Sequence, residues 1–503
     1  MSNSDPTRSL RLWIYALLIT VATGMMLGRI FSADDVKYQK LEEVRSRQAV
    51  ASGDFQGASA RYAMPFFSAN DKSRWCTIRV LCDDDPTIAV KGAPYAIDNL
   101  HTRLGWDTID KVQHIGPDGK EHYYSSKPPL LPTLMAASCK VVCAVMGYNF
   151  EDDIHSIVRW MLVLWNVIPL VILFVLIAWF VERFAISEFT KIFVVAMAVF
   201  ATFLTTFSLS INNHLPAAVC AGLTLFCLAR ILFDNRGSFW YFAGAGFFAA
   251  FTAACDLPAL ALFGLAGGWL LWKRPIKTLL FGVPGALLVL IPFFATNQIA
   301  HESLRPAYLH RSAAEPGSQE WWDAPDNWYA YENSHWAEPQ GIDVGEPSIV
   351  LYDFHILFGH HGVFSLTPIW ILSLAGIVFW LRGEKKLGRG EPLFPDEQQS
   401  FQLSRQLGVF LLVLTVVLVG YYLTRPQIFR NYGGVCSGLR WTFWMIPLWL
   451  VAMVPCVDRL SKRTMGRVFC LVAAGWSVIS VAYPTWNPWV NPWLYQFSQH
   501  LTQ

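Results

Sequence analysis

Charge is what this sequence has least of. Of 503 residues, 39 are Lys or Arg and 37 are Asp or Glu, together 15%, where soluble globular chains average about 25%. A soluble protein of this length needs charge to cover the surface of several domains, so that class is excluded. The net charge is only +2 and apolar residues make up 54%, which argues against disorder and against nucleic-acid binding. There is no Walker-type loop, no dinucleotide fingerprint and no His-Glu-x-x-His, so nothing here binds a nucleotide or a protease zinc by a known signature. The ten cysteines follow no metal-ligand spacing. Cys139, Cys220, Cys227, Cys255, Cys456 and Cys470 lie in apolar runs and read as small core residues. Cys76 and Cys82 fall in a polar segment, and spacing alone leaves open whether they form a disulfide.

What the chain does have is long apolar runs. The first, Leu12 to Gly28, follows Arg8 and Arg11 and lacks an Ala-x-Ala cleavage pattern, so it is expected to stay as an uncleaved first helix. Further runs occur at 158–181, 189–208, 216–233, 239–255, 257–272, 278–296, 363–381, 405–424, 440–457 and 468–483. They predict an all-α polytopic membrane protein of about eleven transmembrane helices plus interfacial helices. The 22 Trp, 17 Tyr and 28 Pro fit that class, because aromatic rings collect at membrane interfaces and membrane helices tolerate proline. Residues 130–147 carry Lys140 in their middle. Treating them as interfacial places the basic loops at 273–277, 382–389 and 459–467 inside. The expected organisation is a first helix over 1–31, an extracytoplasmic loop with interfacial helices over 32–157, a bundle over 158–297, an aromatic loop over 298–355 and a C-terminal bundle over 356–503.

This topology puts nearly every polar residue able to do chemistry on the outer side. In the first outer loop, Asp71 begins Asp71-Lys72-Ser73-Arg74-Trp75, and Lys127 precedes Pro128-Pro129-Leu130. Asp71 either accepts a proton from a hydroxyl or caps a helix starting at Lys72. Lys127, fixed before a Pro-Pro turn, either meets a lipid phosphate or snorkels to the headgroups.

These two segments resemble the polyprenyl-phosphate-dependent C-type glycosyltransferases, the group that includes protein O-mannosyltransferases and lipid A aminoarabinose transferases. Members commonly carry Asp-Glu-x-Arg-Tyr where this chain has Asp71-Lys72-Ser73-Arg74-Trp75. The resemblance implies that Asp71 is the catalytic carboxylate and that Lys127 contacts the phosphate of a lipid-linked sugar donor. Lys72 stands where the family has Glu, which leaves a role for a divalent metal open; no other cofactor is implied. Many members place the acid directly after the first helix, where this chain has Asp34 and Asp35. The context Arg74-Trp75 and Thr77-Ile78-Arg79 favours Asp71. The resemblance covers the first third of the chain and the overall topology.

Other polar groups interrupt the apolar pattern, where they are costly without a use. Asn213 and His214 occupy a turn in which the family often has an Asp, and either cap a helix or meet substrate. Asp256 in Cys255-Asp256-Leu257-Pro258 either caps the helix that follows or lines a cavity. The aromatic loop carries Trp321-Trp322, Trp328-Tyr329 and Trp336, rings suited to sugar faces or to the bilayer surface. His360 and His361 follow it, candidates for binding phosphate or sugar, with a spacing that matches no strong metal signature. Arg430 and Arg440 flank Gly433-Gly434-Val435-Cys436-Ser437-Gly438, where glycines permit close approach and Arg offers a fork for phosphate oxygens.

The expected activity is transfer of a sugar, with inversion, from a polyprenyl-phosphate donor to a lipid, glycan or protein hydroxyl on the extracytoplasmic side. A bacterial inner membrane is the expected setting, with no nucleic-acid partner. A transporter or flippase of lipid-linked or anionic substrates and a non-catalytic membrane scaffold are the alternatives.

Overall fold

A computed structural model describes residues 6–33, 64–103, 105–382 and 395–502, and most of each apolar run lies in helix there, with breaks at Ala201-Thr202 and Thr367-Pro368. Helix α1 (Pro6–Ala33) is followed by α2 (Ala69–Cys82). An antiparallel hairpin of β1 (Lys111–Ile115) and β2 (Glu121–Ser125) leads into α3 (Leu130–Met146). Six helices then run back and forth: α4 (Ile154–Phe184), α5 (Glu188–Leu209), α6 (His214–Leu232), α7 (Phe239–Cys255), α8 (Leu257–Lys273) and α9 (Pro275–His301). Beyond the loop of 302–348 come α10 (Ile349–Leu357), α11 (Ile369–Arg382) and α12 (Pro395–Leu423). A bent pair, α13 (Arg440–Ala452) and α14 (Val454–Leu460), precedes α15 (Thr464–Ala482) and α16 (Trp493–Thr502).

Among the described residues, seven helices are long and apolar enough to cross a membrane, or eight if the pair bent by 43° is one span. The protein is therefore a helical, multi-pass membrane protein. Of the eleven expected runs, the three that form α7, α8 and α11 are shorter apolar helices. The 17 residues of α7 reach about 26 Å, against a hydrocarbon core of about 30 Å. Leu288, Ile291, Leu471 and Val472 are exposed on α9 and α15, as lipid-facing side chains are. Where helices meet, small residues bring backbones together: a Cβ on Gly376 of α11 would lie 1.9 Å from the Ala452 carbonyl oxygen of α13.

Polar contacts define the two ends of the bundle. At one end Arg11 pairs with Glu182 and Glu188, the Asp458 carboxylate accepts from the Ile186 and Ser187 amides, and Lys277 donates to the Gly237 carbonyl. At the other, Asp71 meets Ile211, Asn213 meets Asp256, and Trp489 Nε1 donates to Ser210 Oγ at 2.8 Å. The second end is covered by α2, the hairpin and the long loop, which share a small core of Val112, Tyr124, Trp321, Tyr329 and Trp336. Trp321 is thus a buried anchor and not a ring lying on the bilayer.

One local expectation is corrected, and one question left open by the sequence is answered. Helix α2 starts at Ala69, and its cap is Ser68, whose hydroxyl accepts from the Asp71 amide at 3.1 Å. Asp71 is in the first turn instead, and its carboxylate reaches back to the Phe67 amide at 3.4 Å, a variant of the capping box. Cys76 and Cys82 are both free and buried. They sit six residues apart on one helix, about 9 Å along its axis, beyond the reach of a disulfide.

Candidate functional site

The covered end of the bundle holds a cavity of about 690 Å³. The first turns of α2 contribute Asn70 and Arg74, the hairpin flanks contribute Asp110 and Lys127, and the start of α6 contributes Asn213 and His214. Asp256 enters from the α7–α8 junction, Arg311, Tyr329, Trp336 and Asp343 from the long loop, and Arg425, Phe429 and Arg440 from the segment before α13. Five cations thus face three carboxylates around one space, drawn from five separate stretches of chain.

Lys127 is held extended by the proline that follows it, and its ammonium pairs with Asp110 at 3.1 Å. Burial pushes that ammonium down to about 8, and Asp110 offsets part of the shift. Arg74 donates to the Asn70 carbonyl at 2.9 Å, to the Asn70 side chain, and to Asn213 Oδ1 at 2.5 Å. Burial also pushes Arg74 down, to about 10, with Arg440 as a second cause.

From Asn213 the network continues. Its amide donates to Asp256 Oδ1 at 3.0 Å, while Asp256 Oδ2 lies 3.0 Å from His214 Nδ1 and Arg440 Nη1 lies 3.0 Å from His214 Nε2. Arg440 can only donate, so Nε2 is the acceptor and Nδ1 carries the proton toward Asp256. The imidazole therefore links a carboxylate to a guanidinium. The rest of the Arg440 fork is fixed by Gly433, whose carbonyl accepts from Nε at 3.0 Å and Nη2 at 2.8 Å. Gly433 sits at φ +90°, where only glycine is unstrained. Neither Asn213 nor Asp256 caps a helix with its side chain. Asn212 does so for α6, accepting from the Leu215 amide at 2.9 Å, which leaves Asn213 and His214 to the cavity.

Asp71 stands one layer behind the wall formed by its neighbours Asn70 and Arg74. Its carboxylate is 1% exposed and accepts from the Ile211 amide at 3.2 Å as well as from Phe67. Burial pushes it up to about 7, against the opposing pull of the Phe67 amide and Arg74. A carboxyl group poised there exchanges a proton readily near neutral pH.

The structure therefore brings Lys127, Asn213, His214, Asp256 and Arg440 to one cavity, with Asp71 adjoining it. Arg430 is turned elsewhere: it donates to the carbonyls of Arg425, Glu346 and Pro347 and ties the long loop to the segment before α13. His360 and His361 lie outside the cavity lining, in a ring cluster with His355 and Tyr432, their Nδ1 atoms 2.5 Å apart. Among the described residues no group of three His, Cys, Asp or Glu is arranged to hold a metal ion. Asp34 and Asp35 lie outside the described residues.

Asp110, Arg311 and Arg425 join the site without having been singled out in the sequence. The hairpin that places Asp110 beside Lys127 did carry a signal, the turn Gly116-Pro117-Asp118-Gly119 between two short alternating segments. Arg311 and Arg425 had none, because the path of the long loop decides where they point. No family model and no curated protein matches this chain.

Proposed function

We propose that this chain is an integral membrane glycosyltransferase of the C-type fold, with about eleven passes. It moves a sugar from a polyprenyl-phosphate donor to an acceptor hydroxyl on the extracytoplasmic side. The observation that carries this reading is the meeting of Lys127, Arg74 and Arg440 in one cavity, beside a buried carboxyl poised near neutral. Three cations in one wall suit a phosphate oxyanion.

In the proposed reaction the donor phosphate lies against these cations, and the bond between the anomeric carbon and the phosphate oxygen breaks. The electron pair stays on the lipid phosphate, where Lys127, Arg74 and Arg440 stabilise the gathering charge. The acceptor oxygen attacks from the opposite face, so configuration inverts, and its proton passes to Asp71. A rotation of Asp71 toward the cavity gives up its two hydrogen bonds, at 3.2 and 3.4 Å, both longer than the usual N–H···O distance. Asp110 is engaged by Lys127 and serves to position it. His214 and Asp256 position Arg440.

The lipid tail has a route. The apolar edge of the cavity, Leu257, Pro258, Tyr421 and Tyr422, belongs to α8 and α12. Further along the same two helices lies a second cavity of about 620 Å³, lined by Gly264, Gly268, Trp269, Phe410 and Val413. An apolar chain leaving the first cavity between α8 and α12 would run toward the second.

The test is transfer by the purified chain in lipid with a polyprenyl-phosphate sugar donor. Asp71→Asn is expected to abolish transfer, and Lys127→Ala to raise the donor KM more than the acceptor KM. Full transfer by Asp71→Asn refutes the reading.

A further inference from the structure

Each carboxylate of the cavity is already engaged. Asp110 holds Lys127, Asp256 is bound by Asn213 and His214, and Asp343 accepts from His335 Nε2 at 3.2 Å and Asn431 Nδ2 at 3.1 Å. Lys127 has Asp110, Arg74 has Asn70 and Asn213, and Arg440 has His214 and Gly433, which leaves Arg311 and Arg425. Neither forms an ion pair among the described residues.

Arg311 is the more telling of the two. Its guanidinium lies in a cage of rings, with Cζ 4.4 Å from the Trp336 centroid, 5.4 Å from Phe429 and 5.7 Å from Tyr329. Its Nε and Nη2 are buried, and no acceptor among the described residues reaches either of them. Ring faces return part of the hydration a guanidinium loses, but they accept no in-plane N–H. Buried donors of this kind are ordinarily matched, and this one faces a cavity. Arg425 lies against the same Phe429 ring at 4.4 Å, and its Nη1 donates to the Tyr421 hydroxyl at 2.9 Å. Two guanidinium groups thus share one ring, and the cage abuts the hairpin flank of the same cavity, where Trp336 Nε1 donates to the Ile109 carbonyl at 2.9 Å.

We propose that Arg311, supported by Arg425, is a second anion site that binds an oxyanion other than the lipid phosphate. The ligand is a carboxylate or phosphate carried by the transferred sugar or by the acceptor, and its place in catalysis rests on the transferase reading above. A planar fork flanked by Trp336 and Tyr329 grips such a group in its plane while the rings cover an adjoining sugar face.

The experiment uses the full purified chain, first saturated with farnesyl phosphate and then titrated with glucuronate, inorganic phosphate or, as a neutral control, glucose. The expected result is that an anion still binds the saturated protein and glucose does not. Arg311→Gln should weaken that binding by roughly tenfold or more, the scale of a lost charge-assisted pair, and leave farnesyl phosphate binding unchanged. Arg311→Lys, which keeps the charge and loses the fork, should fall between the two. Tighter glucuronate binding assigns the anion to the sugar, and tighter phosphate binding assigns it to the acceptor. The proposal is overturned if farnesyl phosphate excludes both anions from the wild type, or if Arg311→Gln binds them as well as the wild type does. Loss of farnesyl phosphate binding in Lys127→Ala with anion binding retained supports both sites. If farnesyl phosphate does not bind at all while an Arg311-dependent anion does, the lipid-phosphate reading falls and the second site stands.

Discussion

Replacing Asp71 by Asn should make the protein more stable, and by an amount that depends on pH. In the folded chain the Asp71 carboxyl is pushed by burial from its ordinary 3.8 up to about 7. Between those two values the folded state keeps a proton that the unfolded state has released, so stability falls as pH rises through this window and levels off above it. At about 1.4 kcal/mol per pH unit, the ionised group costs the folded state roughly 4 kcal/mol above neutral pH. Asparagine never ionises and keeps an oxygen for the Ile211 amide. It turns an NH₂ toward the Phe67 amide, however, and loses that acceptor at roughly 1–3 kcal/mol. The difference leaves Asp71→Asn about 1–3 kcal/mol more stable than the wild type at pH 8.5. Near pH 5 only about 1–2 kcal/mol of that cost has accrued, which the lost Phe67 acceptor offsets, so the advantage disappears. Thermal unfolding of both proteins in the same detergent, at pH steps across this range, measures it: the Tm gap should open by a few degrees as pH rises from 5 to about 7 and then level off. Wild-type transfer should rise around pH 7, where the folded Asp71 loses its proton and becomes a base. A Tm gap that does not change with pH would refute the burial argument.

Other consequences follow from contacts away from Asp71. Gly376→Ala would press a Cβ against the Ala452 carbonyl, so a loss of about 1–3 kcal/mol is expected, seen as a lower Tm and less monodisperse protein on size exclusion. Arg11 is 4% exposed and holds Glu182 through two hydrogen bonds of 2.5 and 2.7 Å. Glu182 and Glu188 are partly exposed, so Arg11→Ala should cost about 1–3 kcal/mol, and removing Glu182 as well should cost less than the two single losses together, as read by Tm. Asp256 is linked to Arg440 through His214. The effects of Asp256→Asn and His214→Ala on farnesyl phosphate affinity should therefore be non-additive by about 0.5–3 kcal/mol in a double-mutant cycle, whereas additivity would mean the two residues act apart.

Much of the bundle was legible because a run of apolar residues long enough for a membrane has little choice but helix. The number of crossings was less so: α7, α8 and α11 read as spans by composition, yet each is short, and only packing decides how a short helix sits. The polar residues that interrupt apolar runs were the most informative. Asn213 and His214 in one turn and Asp256 in another were singled out because an unneeded polar group there is expensive, and Arg440 for its fork beside glycines; the fold links all four by hydrogen bonds. Asp110, Arg311 and Arg425 lie in polar stretches where charge needs no explanation, so nothing distinguished them from solvated neighbours. Arg430 and Arg440 looked alike beside the same glycines, and the difference between them is tertiary. One fork meets a histidine in the cavity, the other the carbonyls of a loop more than eighty residues away in sequence. The cap of α2 was misplaced by three residues because Ser68 and Asp71 both suit a first turn, and only the backbone geometry separates them.

A structure of the full chain bound to a non-transferable polyprenyl-phosphate sugar tests the central claim most directly. The account predicts phosphate oxygens within hydrogen-bond distance of Lys127 Nζ and of Arg74 or Arg440, with the tail between α8 and α12 and the anomeric carbon facing Asp71. A phosphate bound at the opposite end of the bundle, against Lys273 and Arg274, would contradict it.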